Sequence, residues 1–262
     1  MTSSVGLSAL ANLRGRIERI ESRDGACRPG RVALGHRCAD VALQGGLALG
    51  ALHEVFCEGG RQSAAGCGFV ASLATRLAPR RPLVWVRQDF SEREAGVLSM
   101  SGLAELGLDP HRVVSVRATD AENALRAAAD ALACDAVGAV VLEVWGETRQ
   151  LDLVASRKLT LAAQGAGVTA LLLRIAASPI PSTAETRWIV RAAPSPSAAS
   201  WSAWGAPRFD AELVRNRHGP LGRWIMEWIC DECLFKEGTA DSQPVAAAPA
   251  HRPYQARHRA FG

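Results

Sequence analysis

The sequence predicts an α/β fold, a mostly parallel sheet with helices on both faces and an antiparallel edge at the C-terminal end. Two observations carry this. First, short continuous apolar runs alternate with amphipathic segments; the clearest are PLVWV at 82–86, AVGAVVLEV at 136–144 and VTALLLRI at 168–175. Strands that are apolar on both sides belong to parallel sheets covered twice. Second, the alternation breaks after Ile175, where Pro179, Pro181, Pro194 and Pro196 enter. RWIVR (187–191), ELVRNR (212–217) and RWIMEWI (223–229) then read as strands, the last two joined by a turn at HGPLG. On the last strand Trp224, Met226 and Trp228 share one face.

In chain order, a helix is expected over 7–20. Leu10, Leu13, Ile17 and Ile20 recur at three- and four-residue steps, with Arg14, Arg16 and Arg19 largely off that stripe. The helix is expected to pack on its own core, with DNA or a partner as the alternative for its arginines. SRDGACRPGR (22–31) reads as a loop, which makes 1–31 an N-terminal helix and loop. The main domain is expected over 32–235. Within it, ALHEVF (51–56) is a strand, a glycine-rich loop follows, and 69–77 is a helix. After PLVWV come a helix over 92–106, the alternating strand RVVSVR (112–117) and a strong helix over 121–133. A helix over 151–164 separates the last two buried strands. From Lys236 onward core-forming residues are few, and 236–262 is expected to be a disordered tail.

The bulk numbers agree with one such domain plus extensions: 262 residues, of which 48% are apolar. The net charge of +4 permits contact with nucleic acid without demanding it. Seven cysteines at irregular spacing do not look like a disulfide framework. The first twenty residues hold no apolar core of a signal peptide, and no run approaches the roughly 18 apolar residues of a membrane helix. A reduced, cytoplasmic protein without a membrane segment is expected.

The most informative segment is HEVFCEGGRQSAAGCGFV, from His53. Strand, glycine-rich turn and helix form the layout of a phosphate-binding loop, in which backbone N–H groups and a helix N-terminus surround the phosphates. The working pattern is G-x-x-x-x-G-K-[ST], with lysine on the β/γ-phosphates and the hydroxyl on Mg²⁺. With Gly66 as the second glycine, Cys67 stands in place of lysine and Gly68 in place of Ser or Thr. Upstream, Gly59 and Gly60 are the remaining glycines, and Gly60 is one residue too far away. Loss of cation and metal ligand together removes most transition-state stabilisation. The expectation is a degenerate loop with no catalytic residues and no cofactor, and at most weak ATP binding through backbone groups. On AVVLE, Glu143 stands where such ATPases place a metal-holding acid. It could hold Mg²⁺ through water; without a hydroxyl at Gly68 the expected role is to cap the strand. Gln88 and Asp89, after PLVWV, stand where a water-activating acid would be, with Asp89 the candidate base.

These residues carry a resemblance. LQGGLALGALHEVFCEGG resembles the RecA entry into its phosphate loop. ASRKLTLAAQGAGVTALLLR, PSTAETRWIV and PRFDAELVRNRHGPLGRWIMEW are similar to the ImuA proteins, which are SulA/RecA-related bacterial proteins of DNA-damage-induced (SOS) mutagenesis. The resemblance covers roughly 34–228. It implies a RecA-like fold and an accessory role in translesion synthesis, beside an ImuB-like, polymerase-related partner and an error-prone DNA polymerase, with RecA as a further candidate partner. It leaves two alternatives, an atypical RecA-like ATPase and a SulA-like cell-division inhibitor. Arg215 and Arg217 match the basic residues that in RecA reach a neighbouring subunit's ATP. They remain candidates for a subunit or partner contact, for DNA phosphate, or for local salt bridges. Arg187 falls where RecA proteins carry DNA-contacting loops, and edge packing by its neighbour Trp188 is the competing expectation.

Other signals are weaker. Cys230 and Cys233 form a single C-x₂-C, and a structural zinc site wants four ligands, so no metal is expected. His53 and His111 read as solvated or core residues. Trp201, Trp204, Trp224 and Trp228 could stack on single-stranded DNA, but a packed sheet face and a protein interface are the favoured reading.

Overall fold

The computed structural model describes residues 30–196 and 205–238. The helix expected over 7–20, Trp201, Trp204 and nearly all of the expected tail therefore lie outside the described residues. Nine strands form one sheet in the order β11-β10-β9-β8-β3-β7-β6-β4-β5. The parallel part comprises β3 (Leu52–Cys57), β4 (Leu83–Gln88), β5 (Val113–Ala118), β6 (Ala139–Trp145), β7 (Thr169–Ile175) and β8 (Thr186–Ala192). The antiparallel edge comprises β9 (Arg208–Asn216), β10 (Gly222–Ile229) and β11 (Leu234–Glu237). A small hairpin of β1 (Arg31–Val32) and β2 (Leu47–Ala48) flanks helix α1 (Arg37–Ala42).

β3 and β7 are buried along their whole length, as their continuous apolar runs require. One face is covered by α2 (Ser63–Leu77), together with α1 and residues of α4 (Met100–Glu105). The other is covered by α5 (Ala121–Leu132) and α6 (Leu153–Ala166). Local chemistry sets these helices. In α5, Ala121, Ala124, Ala128 and Leu132 recur at three- and four-residue steps and are buried, while Asp120 caps the first turn by accepting from Asn123 N at 2.8 Å. In α6, Asp152 does the same for Ala155 N at 2.7 Å, and Gly167 ends the helix in the left-handed conformation at φ 68°.

Four expectations are corrected here. The single helix over 92–106 is two helices, α3 (Asp89–Ala95) and α4. Gly96 leaves helical geometry at φ 79°, and Ser99 starts a new helix by accepting from Gly102 N. The helix expected from Phe69 begins six residues earlier, at Ser63. Lys236 and Glu237 are not tail but the last residues of β11, paired with β10. That short strand forms because Phe235 is fully buried against Phe69, Phe209 and Trp228, and Phe235 N donates to Leu34 O at 2.9 Å. Trp188 is not at an edge: it is fully buried, with its ring 5.7 Å from Phe69.

His53 is a core residue. Its ring nitrogens bond Thr186 Oγ1 at 2.7 Å and Ala48 O at 2.8 Å, and burial pushes its pKa down to about 4. An unfolded histidine titrates near 6.5, so between those values the unfolded chain binds more protons. Stability should be full above pH 6.5, fall as pH drops through this window, and level off below pH 4. The loss from this residue is about 3 kcal/mol. Urea unfolding from pH 7 to pH 4 checks it, since His53→Gln should remove that share of the slope.

Candidate functional site

After β3 the chain makes only a short turn. Glu58 and Gly59 lead into a 3₁₀ turn, Gly60–Gln62, and α2 starts at Ser63. Ser63 Oγ donates to Gly60 O at 2.7 Å, and Gly60 holds φ 63°. Gln62 Oε1 accepts from Ala192 N at 2.7 Å, which ties the turn to the end of β8. A Cβ on Gly59 would lie 3.0 Å from Ala176 Cβ and 3.3 Å from Trp145 Cζ2, so the indole packs directly against the turn.

Gly66, Cys67 and Gly68 are therefore not loop residues but lie inside α2, the first of them nearly a full turn beyond its start. Their small size serves packing. A Cβ on Gly66 would sit 2.5 Å from Cys57 Sγ, whereas one on Gly68 would make ordinary contact with the Phe209 ring at 3.4 Å. The Cys67 thiol is pushed well above its ordinary value by burial, and then by the Glu143 carboxylate. The residues at the start of α2, where a phosphate loop would place its lysine and hydroxyl, are Gln62, Ser63 and Ala64.

Glu143 neither caps β6 nor reaches solvent. It sits within the strand, fully buried, and accepts from Arg87 Nε at 2.8 Å, Arg87 Nη2 at 2.9 Å and Trp85 Nε1 at 3.0 Å. This bidentate pair occupies the carboxylate oxygens that a metal would need. Arg87 also donates to Gly96 O at 3.2 Å, which fixes the end of α3. Gln88 is structural, accepting from Trp145 N at 3.0 Å. Asp89 is engaged by Arg117 at 3.1 Å.

The arginines singled out by sequence are not brought together at the turn. Arg187 is half-buried: Nε donates to Glu54 Oε2 at 2.7 Å, Nη2 to Ser182 Oγ at 2.9 Å, and the guanidinium lies over the Phe56 ring at 5.4 Å. It is thus a core ion pair rather than a loop cation facing DNA. Arg215 and Arg217 make no side-chain ion pair among the described residues, and Arg217 is exposed. A register shift beside Arg187 and Trp188 pairs Arg187 with Arg215 but Trp188 with Leu213, which leaves Val214 unpaired between them. Arg217 N donates to Glu185 O, and Glu185 N donates to Leu52 O, level with the start of β3. The turn lies beyond Cys57, so Arg217 sits about 17 Å from it along the strand, and Arg215, level with Glu54 through Arg187, about 10 Å.

No family model matches the chain. The chain is 34% identical over 197 residues to "Protein ImuA" from two strains of Caulobacter vibrioides, covering 70% of this chain and 77% of the relative. The chain belongs to the ImuA family.

In this ImuA-family chain, Arg87 is the site residue that sequence reading missed. A signal existed. An arginine and a glutamate interrupt the otherwise apolar runs LVWVRQ and AVVLEVW at equivalent positions, and the parallel register pairs Arg87 with Glu143. The Cys230 and Cys233 pair forms the turn between β10 and β11, with Cys233 Sγ donating to Cys230 O at 3.2 Å. Among the described residues no three metal-ligating side chains cluster, and no helix is long and apolar enough to cross a membrane. Trp224 and Trp228 lie on one packed face. Trp228 is fully buried with Nε1 donating to Leu106 O, and the Trp224 ring meets those of Trp188 and His36 at a tilt, 6.1 Å from each.

Proposed function

We propose that this ImuA-family chain is a non-catalytic accessory protein of DNA-damage-induced mutagenesis. It would use a RecA-like scaffold with a degenerate phosphate loop to bring an ImuB-like, polymerase-related protein together with an error-prone DNA polymerase. Membership of the family supports the process. The observation that carries the accessory role is the locking of Glu143 by Arg87 beside a turn whose helix starts with Gln62, Ser63 and Ala64. The position suited to Mg²⁺ is occupied by a guanidinium, and phosphoryl transfer depends on cation and metal together.

The test is affinity purification of the tagged chain from cells treated with a DNA-crosslinking agent, with damage-induced mutation frequency measured in the deletion strain. Recovery of a polymerase-like partner, with mutagenesis lost on deletion and restored by the chain, is the expected result. Recovery of neither polymerase component with the bait abundant and folded overturns the reading. ATP binding with micromolar affinity and turnover dependent on Arg215 and Arg217 would favour the ATPase alternative instead.

A further inference from the structure

A cleft of about 400 Å³ opens at the opposite end of α2 from the turn. It is within the size range of clefts that hold a small molecule or a peptide side chain. Its walls are apolar, formed by Ala74, Leu77 and Ala78 at the end of α2 with Leu83 and Leu108 across from them. Three arginines line it, Arg76, Arg81 and Arg112, against a single carboxylate, Asp109.

Two of these cations are held in place. Arg76 donates from Nε at 3.1 Å and Nη2 at 2.6 Å to Ala33 O. Arg112 donates from Nε to Asp109 Oδ2 at 3.1 Å and from Nη1 to Pro79 O at 2.5 Å. Arg81 is exposed and makes no hydrogen bond or ion pair among the described residues. Asp109 is already spent on Arg112 and on His111 N at 3.0 Å. The cleft thus presents an apolar floor under an arginine rim of net positive charge. Little side-chain entropy remains to be lost at Arg76 and Arg112 when a ligand binds.

We propose that this cleft binds an acidic peptide segment of another protein. An aliphatic or aromatic side chain of that segment would sit between the end of α2 and Leu108, with flanking carboxylates on the arginines. Arg-rimmed apolar pockets are typical anchor sites, and complementary charge sets their selectivity. The chain's own termini have the wrong sign. Residues 1–29 carry five arginines against three acidic residues, and 239–262 carry three arginines against one aspartate. The inference rests on the cleft alone and stands apart from the mutagenesis reading.

The full chain supplies its own reporter, because the Cys233 thiol lines the cleft while Cys134 is exposed outside its lining. The probe is a fluorescein-labelled hexapeptide with Leu-Phe flanked on each side by two glutamates, compared with the same peptide carrying glutamines. Anisotropy at low salt should give the acidic peptide a Kd on the order of 100 μM or tighter. It should bind at least tenfold tighter than the glutamine peptide, and Arg81→Glu should weaken it at least tenfold. Saturating peptide should slow maleimide alkylation of Cys233, read by peptide mass spectrometry, and leave Cys134 unchanged. No binding, equal affinity for both peptides, or an unprotected Cys233 in the wild-type chain would overturn the proposal. Arg81→Glu changes an unbonded surface side chain, so its fold should survive, and a thermal melt superimposable on wild type checks that.

Discussion

Replacing Arg87 with alanine should destabilise the fold by about 3–5 kcal/mol, because it strands a buried carboxylate. Glu143 has no exposed surface and Arg87 is 5% exposed, so water cannot replace the lost partner. Only Trp85 Nε1 would remain on a charge that had accepted three donors. Urea unfolding of the single variant measures the loss. The double variant Arg87→Met with Glu143→Gln removes both charges and leaves a side-chain amide oxygen to accept from the Trp85 indole. It should recover at least half of the loss, since a neutral pair avoids the desolvation penalty. A loss below about 1 kcal/mol for Arg87→Ala would mean that solvent reaches the pair in solution. It would also reopen Glu143 as a metal ligand.

Phe69→Ala should cost a comparable 3–5 kcal/mol or so, in the range of large-to-small aromatic changes in a core. Phe69 is the ring through which α2 holds the antiparallel edge. Its centroid lies 5.7 Å from Trp188, 5.5 Å from Phe209 and 5.5 Å from Phe235, on β8, β9 and β11. The loss should be uneven, with amide protection falling more in β10 and β11 than in β6 and β7, whose opposite face stays covered by α5 and α6. Phe90→Ala is the matched control. That ring is 47% exposed and meets Trp145 at 6.5 Å, so its removal should cost under about 1 kcal/mol. Equal protection loss across the sheet would show that the sheet opens as one unit and that Phe69 does not hold the antiparallel edge in particular.

The central strands were legible because burial on both faces leaves a composition that little else produces. VTALLLRI and AVGAVVLEV carry it, and β7 and β6 lie within those runs apart from Trp145. The start of α2 was not legible. RQSAAGCG has the small and polar residues of a loop, and its helical state follows from what it packs on. Gly66 is small because Cys57 Sγ stands where its Cβ would be. The break at Gly96 was missed for the opposite reason, since flanking residues with good helix periodicity hid a single glycine at positive φ. β11 is four residues long, below the length at which alternation is informative, and only Phe235 in the aromatic cluster explains it.

At the candidate site the division is sharper. Reading the residues alone was enough to see that the strand-turn-helix unit carries neither lysine nor threonine at its glycines, and to single out Glu143 and Arg187. It could not assign their partners. Arg87 meets Glu143 across β4 and β6, and Arg187 meets Glu54 across β8 and β3, pairs separated by 56 and 133 positions in the chain. These pairings are set by the fold. Ion pairing acts over a few ångströms, and strand order and register bring residues that far apart in sequence to that distance.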